Sequence, residues 1–319
     1  MEVYRQLFPL AEDKGKRLDV FLTNRLKFLS REKAKDLINK GRVYISGVVT
    51  QKPDYRIKGN ESIGINEVQE PPLPTPPPEN IILPILYEDE HIIIINKPAG
   101  ISTHPTATAI RNTVLNALLY MNKSLSDMGD PLRRGIVHRL DKQTAGLLII
   151  AKDNESHLNL LKMFKQREIH KTYIAVTHNV MMEQSGIIDN LIERHPIDRK
   201  RMTTKTKRGK RAITHYSVIK RFEEATVVML FPQTGRTHQL RTQLSDMGYP
   251  VVGDNIYSKK KLQFRNIQLQ KMALLLDGIA LFAYALHFVH PIYKTPMTFS
   301  APFPSWLREV IKEHELPQS

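Results

Sequence analysis

Apolar positions divide the chain into stretches with different rhythms. In the first 68 residues, Leu18, Phe21, Leu22 and Leu26 recur at helical spacing, and Ala34, Leu37 and Ile38 make a second stripe. Ser30 is placed to cap the second helix, and Gly41 to end it in the left-handed conformation. Val43–Ile45 and Val48-Val49 then flank Ser46-Gly47, a hairpin signal. The rhythm stops between Glu70 and Pro84, where seven prolines predict an extended, semi-rigid linker. The expected organisation is therefore a small module over 1–69, a linker over 70–84 and a large domain over 85–319.

In the large domain, Ile92–Ile95 and Gly146–Lys152 predict buried strands, with a turn at Lys97–Gly100 and a helix from Thr113 to Tyr120 between them. Thr214–Phe222 and Val227–Phe231 are β-rich. Leu240, Leu244 and Met247 predict a helix that Gly248 ends. Strands come in clusters rather than in strict βαβ alternation, which predicts an α+β fold with a mixed, mostly antiparallel sheet.

Composition narrows the function. No apolar run in the 319 residues approaches the ~18 of a membrane span, and no secretory pattern follows Met1. A soluble, cytoplasmic chain with no membrane partner is expected. Cysteine is absent, which excludes thiol nucleophiles and cysteine-held clusters. Forty-seven Lys and Arg against 32 Asp and Glu give a net charge of +15, suited to a polyanion such as RNA. Arg31, Lys33, Lys35, Lys40 and Arg42 surround the second helix, as an RNA-docking face or simply as a solvated one. The stretch Arg194–Arg211 carries nine basic residues and the single acid Asp198, which predicts a mobile or RNA-ordered loop. Phosphate-cradling glycine motifs and metal-ligand spacings are missing, so neither a metal nor a cofactor is expected.

Three segments carry candidate chemistry. Gly135–Gly146 packs Asp141 between Arg139 and Lys142 just before a buried strand. Such a carboxylate should stay ionised and could act as nucleophile or base, although most Arg-Asp clusters are structural ion pairs. Thr234–Arg241 places Arg236, His238, Gln239 and Arg241 in the first turns of a helix. Arg241 lies beside or opposite the Leu240 and Leu244 stripe, free to pair a buried carboxylate, bind phosphate or face solvent. In Glu168–Val176, strand alternation turns Lys171 and Tyr173 to one side, where the ring could stack on a base or join the core.

Together these segments resemble the RluA-type pseudouridine synthases. His138-Arg-Leu-Asp141 with Thr144 and Gly146 is similar to that family's H-R-L-D-x-x-T-S-G signature, Lys171-Thr-Tyr173 to its K-x-Y motif, and Gly235–Arg241 to its G-R-x-H-Q-[IL]-R motif. Leu86–Pro105, Gly248–Asp254 and Phe288–Pro291 resemble further blocks in the same order, and the first module resembles an S4-type RNA-binding domain. Ala145, Gln143, His178 and Phe282 depart from the pattern.

The resemblance implies the pseudouridine synthase fold and isomerisation of uridine to pseudouridine in RNA, without a cofactor. It implies Asp141 as catalytic carboxylate, Arg241 as its ion-pair partner and Tyr173 as the ring that stacks on uracil and assists proton removal from C5. Arg139 would fill the space of the extruded base. Lys171, Arg236, His238, Gln239 and Thr144 would contact substrate or RNA, and Arg31 and Lys35 would serve in the S4-like module. Attack at C1′, addition at C6 and proton abstraction at C2′ are equally open to Asp141. The module favours 23S ribosomal RNA over transfer RNA as the target, and a monomer is expected. The competing readings are a non-catalytic ribosome-assembly factor and a metal-dependent RNA hydrolase.

Overall fold

The computed structural model describes residues 2–26, 29, 31–68, 76–106 and 109–316. These form two compact units, 1–73 and 74–319. In the first unit, β1 (Glu2–Leu7), α1 (Leu18–Arg25), α2 (Arg31–Asn39), β2 (Val43–Ile45), β3 (Val48–Thr50) and β4 (Ile63–Val68) follow one another. The strands pair antiparallel in the order β1-β4-β2-β3. Leu18, Phe21, Leu22, Leu26, Ala34 and Ile38 are all buried in one core with Val43 and Ile65, as the helical spacing predicts. Gly41 has φ +68°, and the N–H of Arg42 returns to the carbonyl of Leu37, closing α2 as expected. The expected cap Ser30 lies outside the described residues.

The second unit continues with β5 (Ile85–Glu88), β6 (Ile92–Lys97), α3 (Val114–Tyr120), β7 (Ala145–Ala151), α4 (Asn154–Gln166) and β8 (His170–His178). Next come β9 (Ser185–Arg194), β10 (Met202–Thr203), β11 (Lys210–Arg221), β12 (Ala225–Pro232) and α5 (Gln239–Asp246). It closes with α6 (Ile267–Leu274), β13 (Leu281–Val289), β14 (Pro296–Ser300) and α7 (Ser305–Arg308). Among the described residues one ten-stranded sheet runs β10-β9-β11-β12-β8-β13-β7-β6-β5, with β14 paired to β13. Only β13 and β7 pair parallel, so the sheet is mixed and mostly antiparallel.

Apolar residues fill both faces of this sheet. Ile92, Ile94, Leu147 and Ile149 point into the larger core, while Ile93, Ile95, Leu148 and Ile150 point into a second core under α3. That is why β6 and β7 read as unbroken apolar runs rather than alternating ones. Gly146 has φ +120°, and a Cβ there would lie 2.3 Å from the carbonyl oxygen of Ala283. Glycine thus lets β13 approach β7 at the end of the loop that carries Asp141.

Two expectations change. The stretch Arg194–Arg211 is irregular over most of its length but not featureless: β9 extends to Arg194, β10 pairs back on it, and β11 starts at Lys210. Its backbone is anchored where Met202 N–H donates to the Tyr257 hydroxyl at 2.7 Å. Of the proline-rich segment, 70–75 lies outside the described residues. The remainder is docked on the second unit, where Asn116 donates to the carbonyl of Pro77 and Leu83 is buried in the core under α3.

Candidate active site

Asp141 ends a loop pinned on several sides. Thr103 Oγ1 accepts from the N–H of Leu140 and donates to its carbonyl, at 3.1 and 2.9 Å. The carbonyl of Lys142 accepts from Gly100 N–H and from Lys97 Nζ. Lys97, fully buried at the end of β6, also donates to the carbonyls of Pro98 and Ile101. Burial pushes its ammonium down to about 7, against the opposing charge of Asp141. His138 accepts the N–H of Ile149 on Nε2, and burial first, then the charge of Lys171, lowers it to about 3. It is a neutral brace of β7 rather than a proton carrier.

This loop, the start of β8 and the N-terminal end of α5 wall an open cavity of about 520 Å³. Asp141, Tyr173, Lys171, Arg236, His238 and Arg241 all line it, so the structure brings the principal expected residues together from three distant parts of the chain. Arg139 is exposed at its rim. Phe164, Lys165 and Arg167, from the C-terminal end of α4, complete one side and were not anticipated from sequence. The signal for them was the D-x-x-S pattern Asp153-Asn-Glu-Ser156, a helix start in which Asp153 accepts from Ser156 N–H.

Arg241 is neither at a solvated flank nor on an exposed basic face; it is buried, at 4% exposure. Its Nη1 donates to Asp141 Oδ2 at 3.0 Å, while Nε and Nη2 donate to the two oxygens of Asp254 at 2.6 and 2.9 Å. Burial alone would lower the guanidinium, but the hydrogen bonds and charges of Asp254 and Asp141 outweigh it and raise it further. Asp254 is saturated, because its Oδ1 also accepts from Ile256 and Tyr257 N–H. Asp141 is not: Oδ2 takes the guanidinium, with His238 Nε2 at 3.8 Å, and no hydrogen bond reaches Oδ1 among the described residues. One anchored oxygen and one open oxygen, at the wall of a cavity, is the arrangement a reacting carboxylate needs.

Tyr173 is half-buried in the wall beside Asp141. Burial, then the charge of Asp141, raises its phenol well above the ordinary range, so at neutral pH it is a ring with a neutral hydroxyl and not a phenolate. Lys171 lies 5.9 Å from the centre of the Phe164 ring, and burial lowers its ammonium.

Other expected contacts are reassigned. Gln239 is buried with its amide fully used by protein: it donates to Ile213 O and Thr214 Oγ1 and accepts from Thr234 Oγ1 and Arg236 N–H. It shapes the turn into α5 and has no valence left for substrate. Thr144 braces the loop through its N–H to Asp141 O at 3.0 Å, and its buried hydroxyl has no partner. In the first unit Arg31 is tied to the buried Asp19 at 3.2 Å, and Lys35 is exposed. Among the departures from the family pattern, Phe282 fills the large core, and His178 is buried in a stack with Phe264 at 5.5 Å.

Comparison with known proteins agrees with this geometry. Residues 91–246 match the family described as RNA pseudouridylate synthase, and residues 16–63 match the S4 domain. An uncharacterized RNA pseudouridine synthase of Aquifex aeolicus is 39% identical over 309 residues, spanning 94% of this chain and 96% of its own. The ribosomal large subunit pseudouridine synthase D of Escherichia coli K12 is 37% identical over 303 residues, spanning 93% of this chain and 90% of its own. Among solved structures, human RNA pseudouridylate synthase domain containing 4 is similar over 71% of this chain and 90% of its own, with a TM-score of 0.54 at 25% identity.

Proposed function

The chain belongs to the RNA pseudouridylate synthase family, and from this we propose that it isomerises uridines of 23S ribosomal RNA with Asp141 as the reacting carboxylate. The ribosomal target is supported by the S4 match and by relatives named for the large ribosomal subunit. The observation that carries the assignment of Asp141 is its divided carboxylate: Oδ2 held by buried Arg241, Oδ1 open to the cavity.

In the reaction the C1′–N1 bond breaks, the uracil turns and C1′–C5 forms; C5 loses a proton and N1 gains one, so nothing is added or lost. A uridine swung out of its helix meets the Tyr173 ring as a stacking platform. Its phenol stays neutral before RNA is bound, so it offers a stacking face and a hydroxyl through which it can assist removal of the C5 proton. Arg241 holds Asp141 oriented through the hydrogen bond to Oδ2 while it acts on the sugar or base. Arg139 at the rim takes the space the base vacates. Lys171 and Arg236 meet the phosphates, which would supply the counter-charge that burial denies Lys171.

The test is tritium release from 23S ribosomal RNA and bulk transfer RNA carrying [5-³H]uridine. C5 loses its hydrogen only when the new carbon–carbon bond forms. Release from the ribosomal RNA that disappears in Asp141→Ala supports the proposal. Release from transfer RNA alone overturns the target, and salt-sensitive binding without release from either overturns the catalytic reading.

A further inference from the structure

Tyr257 takes no part in the reading above, yet it touches Arg241, Asp254 and His238, the groups around the Asp141 carboxylate. It lies between α5 and α6, with its ring 5.2 Å from the Arg241 guanidinium and 5.5 Å from that of Arg201. Its own N–H donates to Asp254 Oδ1. Its hydroxyl accepts from Met202 N–H at 2.7 Å and lies 2.9 Å from His238 Nδ1.

The phenol and the carboxylate together select a tautomer. The phenol oxygen accepts from Met202 N–H and also meets the Thr242 hydroxyl, so its own bonds leave its proton unassigned. The charge of Asp141 beside the ring draws the imidazole proton toward itself, so Nδ1 accepts the phenol proton and the imidazole proton resides on Nε2. That nitrogen faces Asp141 Oδ2 at 3.8 Å. The opposite tautomer would turn a lone pair toward the carboxylate and repel it. His238 sits at φ +53° at the start of α5, so its ring is held by the backbone as well.

The other end of the chain of contacts is the basic stretch between β9 and β11. Met202 and Arg201 belong to it, and Thr204 hydrogen-bonds Asp246 at the far end of α5. A phosphate backbone drawn to this stretch by its charge thus bears on the same phenol that orients His238.

We propose that Tyr257 is a positioning residue that joins the basic β9–β11 segment to the Asp141 carboxylate, holding His238 as the Nε2–H tautomer with its hydroxyl and Met202 with its lone pair. The proposal rests on Asp141 being the reacting group. Removing the hydroxyl alone, in Tyr257→Phe, keeps the ring between the two guanidiniums and should leave RNA affinity within about twofold. The single-turnover rate at saturating RNA should fall about tenfold, the effect of one well-placed hydrogen bond.

Two readouts separate positioning from general damage. The ¹⁵N spectrum of histidine-labelled protein, assigned with His238→Gln, should show a pyridine-type Nδ1 for His238 in the wild type and a redistributed proton in Tyr257→Phe. In the rate measurements, Tyr257→Phe should add little to His238→Gln, because both remove one unit. A protonated Nδ1 in the wild type, an unchanged tautomer in Tyr257→Phe, or rate losses that multiply independently would each overturn the proposal. If the wild type releases no tritium at all, the catalytic reading fails instead, and the nitrogen spectrum still decides the tautomer.

Discussion

Both units bury aspartates against arginines, and they do so to different ends. In the first unit Asp19 is fully buried, and both its oxygens are occupied: Arg17 takes Oδ1 and Oδ2, and Arg31 shares Oδ2. Asp13 is equally spent, holding Lys16, Arg25 and the N–H of Leu10. In the second unit Asp254 is spent in the same way, but its arginine reaches past it to Asp141, which keeps one oxygen open. Burying a charge is unfavourable unless its lone pairs are used, which accounts for the three spent aspartates, whereas Oδ1 of Asp141 is left to the cavity. Asp141 differs from the other three in both respects: it is only half-buried, and it keeps an oxygen that no protein donor reaches among the described residues.

The largest consequence concerns that oxygen. Asp141→Asn keeps the shape and the Arg241 contact but removes the charge. Tritium release should fall by at least about a thousandfold, within the range for losing a positioned acid–base or nucleophilic group. Thermal stability should hardly move. An Asn variant that kept a tenth of the activity would erase the distinction drawn between the two units.

Asp254→Asn sharpens the contrast from the other side. It leaves Arg241 buried with only Asp141 to pair, which should destabilise the second unit by about 3 kcal/mol. The rate should also fall about a hundredfold, since a small displacement of a reacting group is worth that much. Urea denaturation followed by Trp306, the chain's single tryptophan and buried in the second unit, reads the first effect. Single-turnover tritium release reads the second. Stability loss with an intact rate would mean that Asp141 is oriented without Asp254.

Much of this was legible in the residues, and the failures share a cause. The apolar rhythm located β6, β7, α1, α2 and the β2–β3 hairpin, because burial writes its period into the sequence. The family resemblance located Asp141, Tyr173 and Arg241, which the cavity brings together. The helix α5 misled, since Gln239 through Leu244 are all buried and its polar residues face protein rather than water. Gln243, for instance, spends its amide on Thr214, Asn190 and the carbonyl of Ala212. A polar residue that is satisfied internally is indistinguishable in sequence from one that is solvated. The contacts of the basic stretch before β11 were hidden for the same reason, because its partners Tyr257 and Asp246 lie some 40 to 55 positions away. Asp254 stood in the Gly248–Asp254 block of the family resemblance and closed the apolar run Val251-Val252-Gly253, but neither signal gave it a role.

Asp19→Asn carries the comparison into the first unit with a smaller effect on activity. Two arginines lose half of their shared partner, and α1 should open more readily by about 3 kcal/mol. Hydrogen exchange in peptides covering Leu18–Arg25 of the full chain measures this. The rate at saturating RNA should stay within about twofold, with the loss confined to affinity. A fall in the saturated rate would show that the first unit does more than bind.

The smallest effects, in pH, should carry the same sign of slope in the two units but fall in separate windows. Burial would raise Asp13, but the N–H of Leu10, then Lys16 and Arg25, outweigh it and lower it to about 2. A carboxyl lowered on folding adds stability that is complete above its unfolded pKa of about 4. That stability is lost as the pH falls from there through about 2. Exchange in α1, corrected for its intrinsic rate, should rise over that window, and Asp13→Asn should flatten the rise. Lys97 gives the same sign of slope at higher pH, because its shift destabilises the fold until the ammonium is lost. Its ammonium is lowered to about 7 by burial, so between that pH and its unfolded value of about 10.4 the unfolded chain binds the extra proton. Stability of the second unit should therefore increase as the pH climbs from 7 toward 10, and Lys97→Met should abolish that slope in the Trp306 denaturation midpoint. A lysine slope of the opposite sign would mean that the three carbonyls around Nζ hold the ammonium more firmly than burial expels it, and the Asp141 loop would then rest on a permanent buried cation.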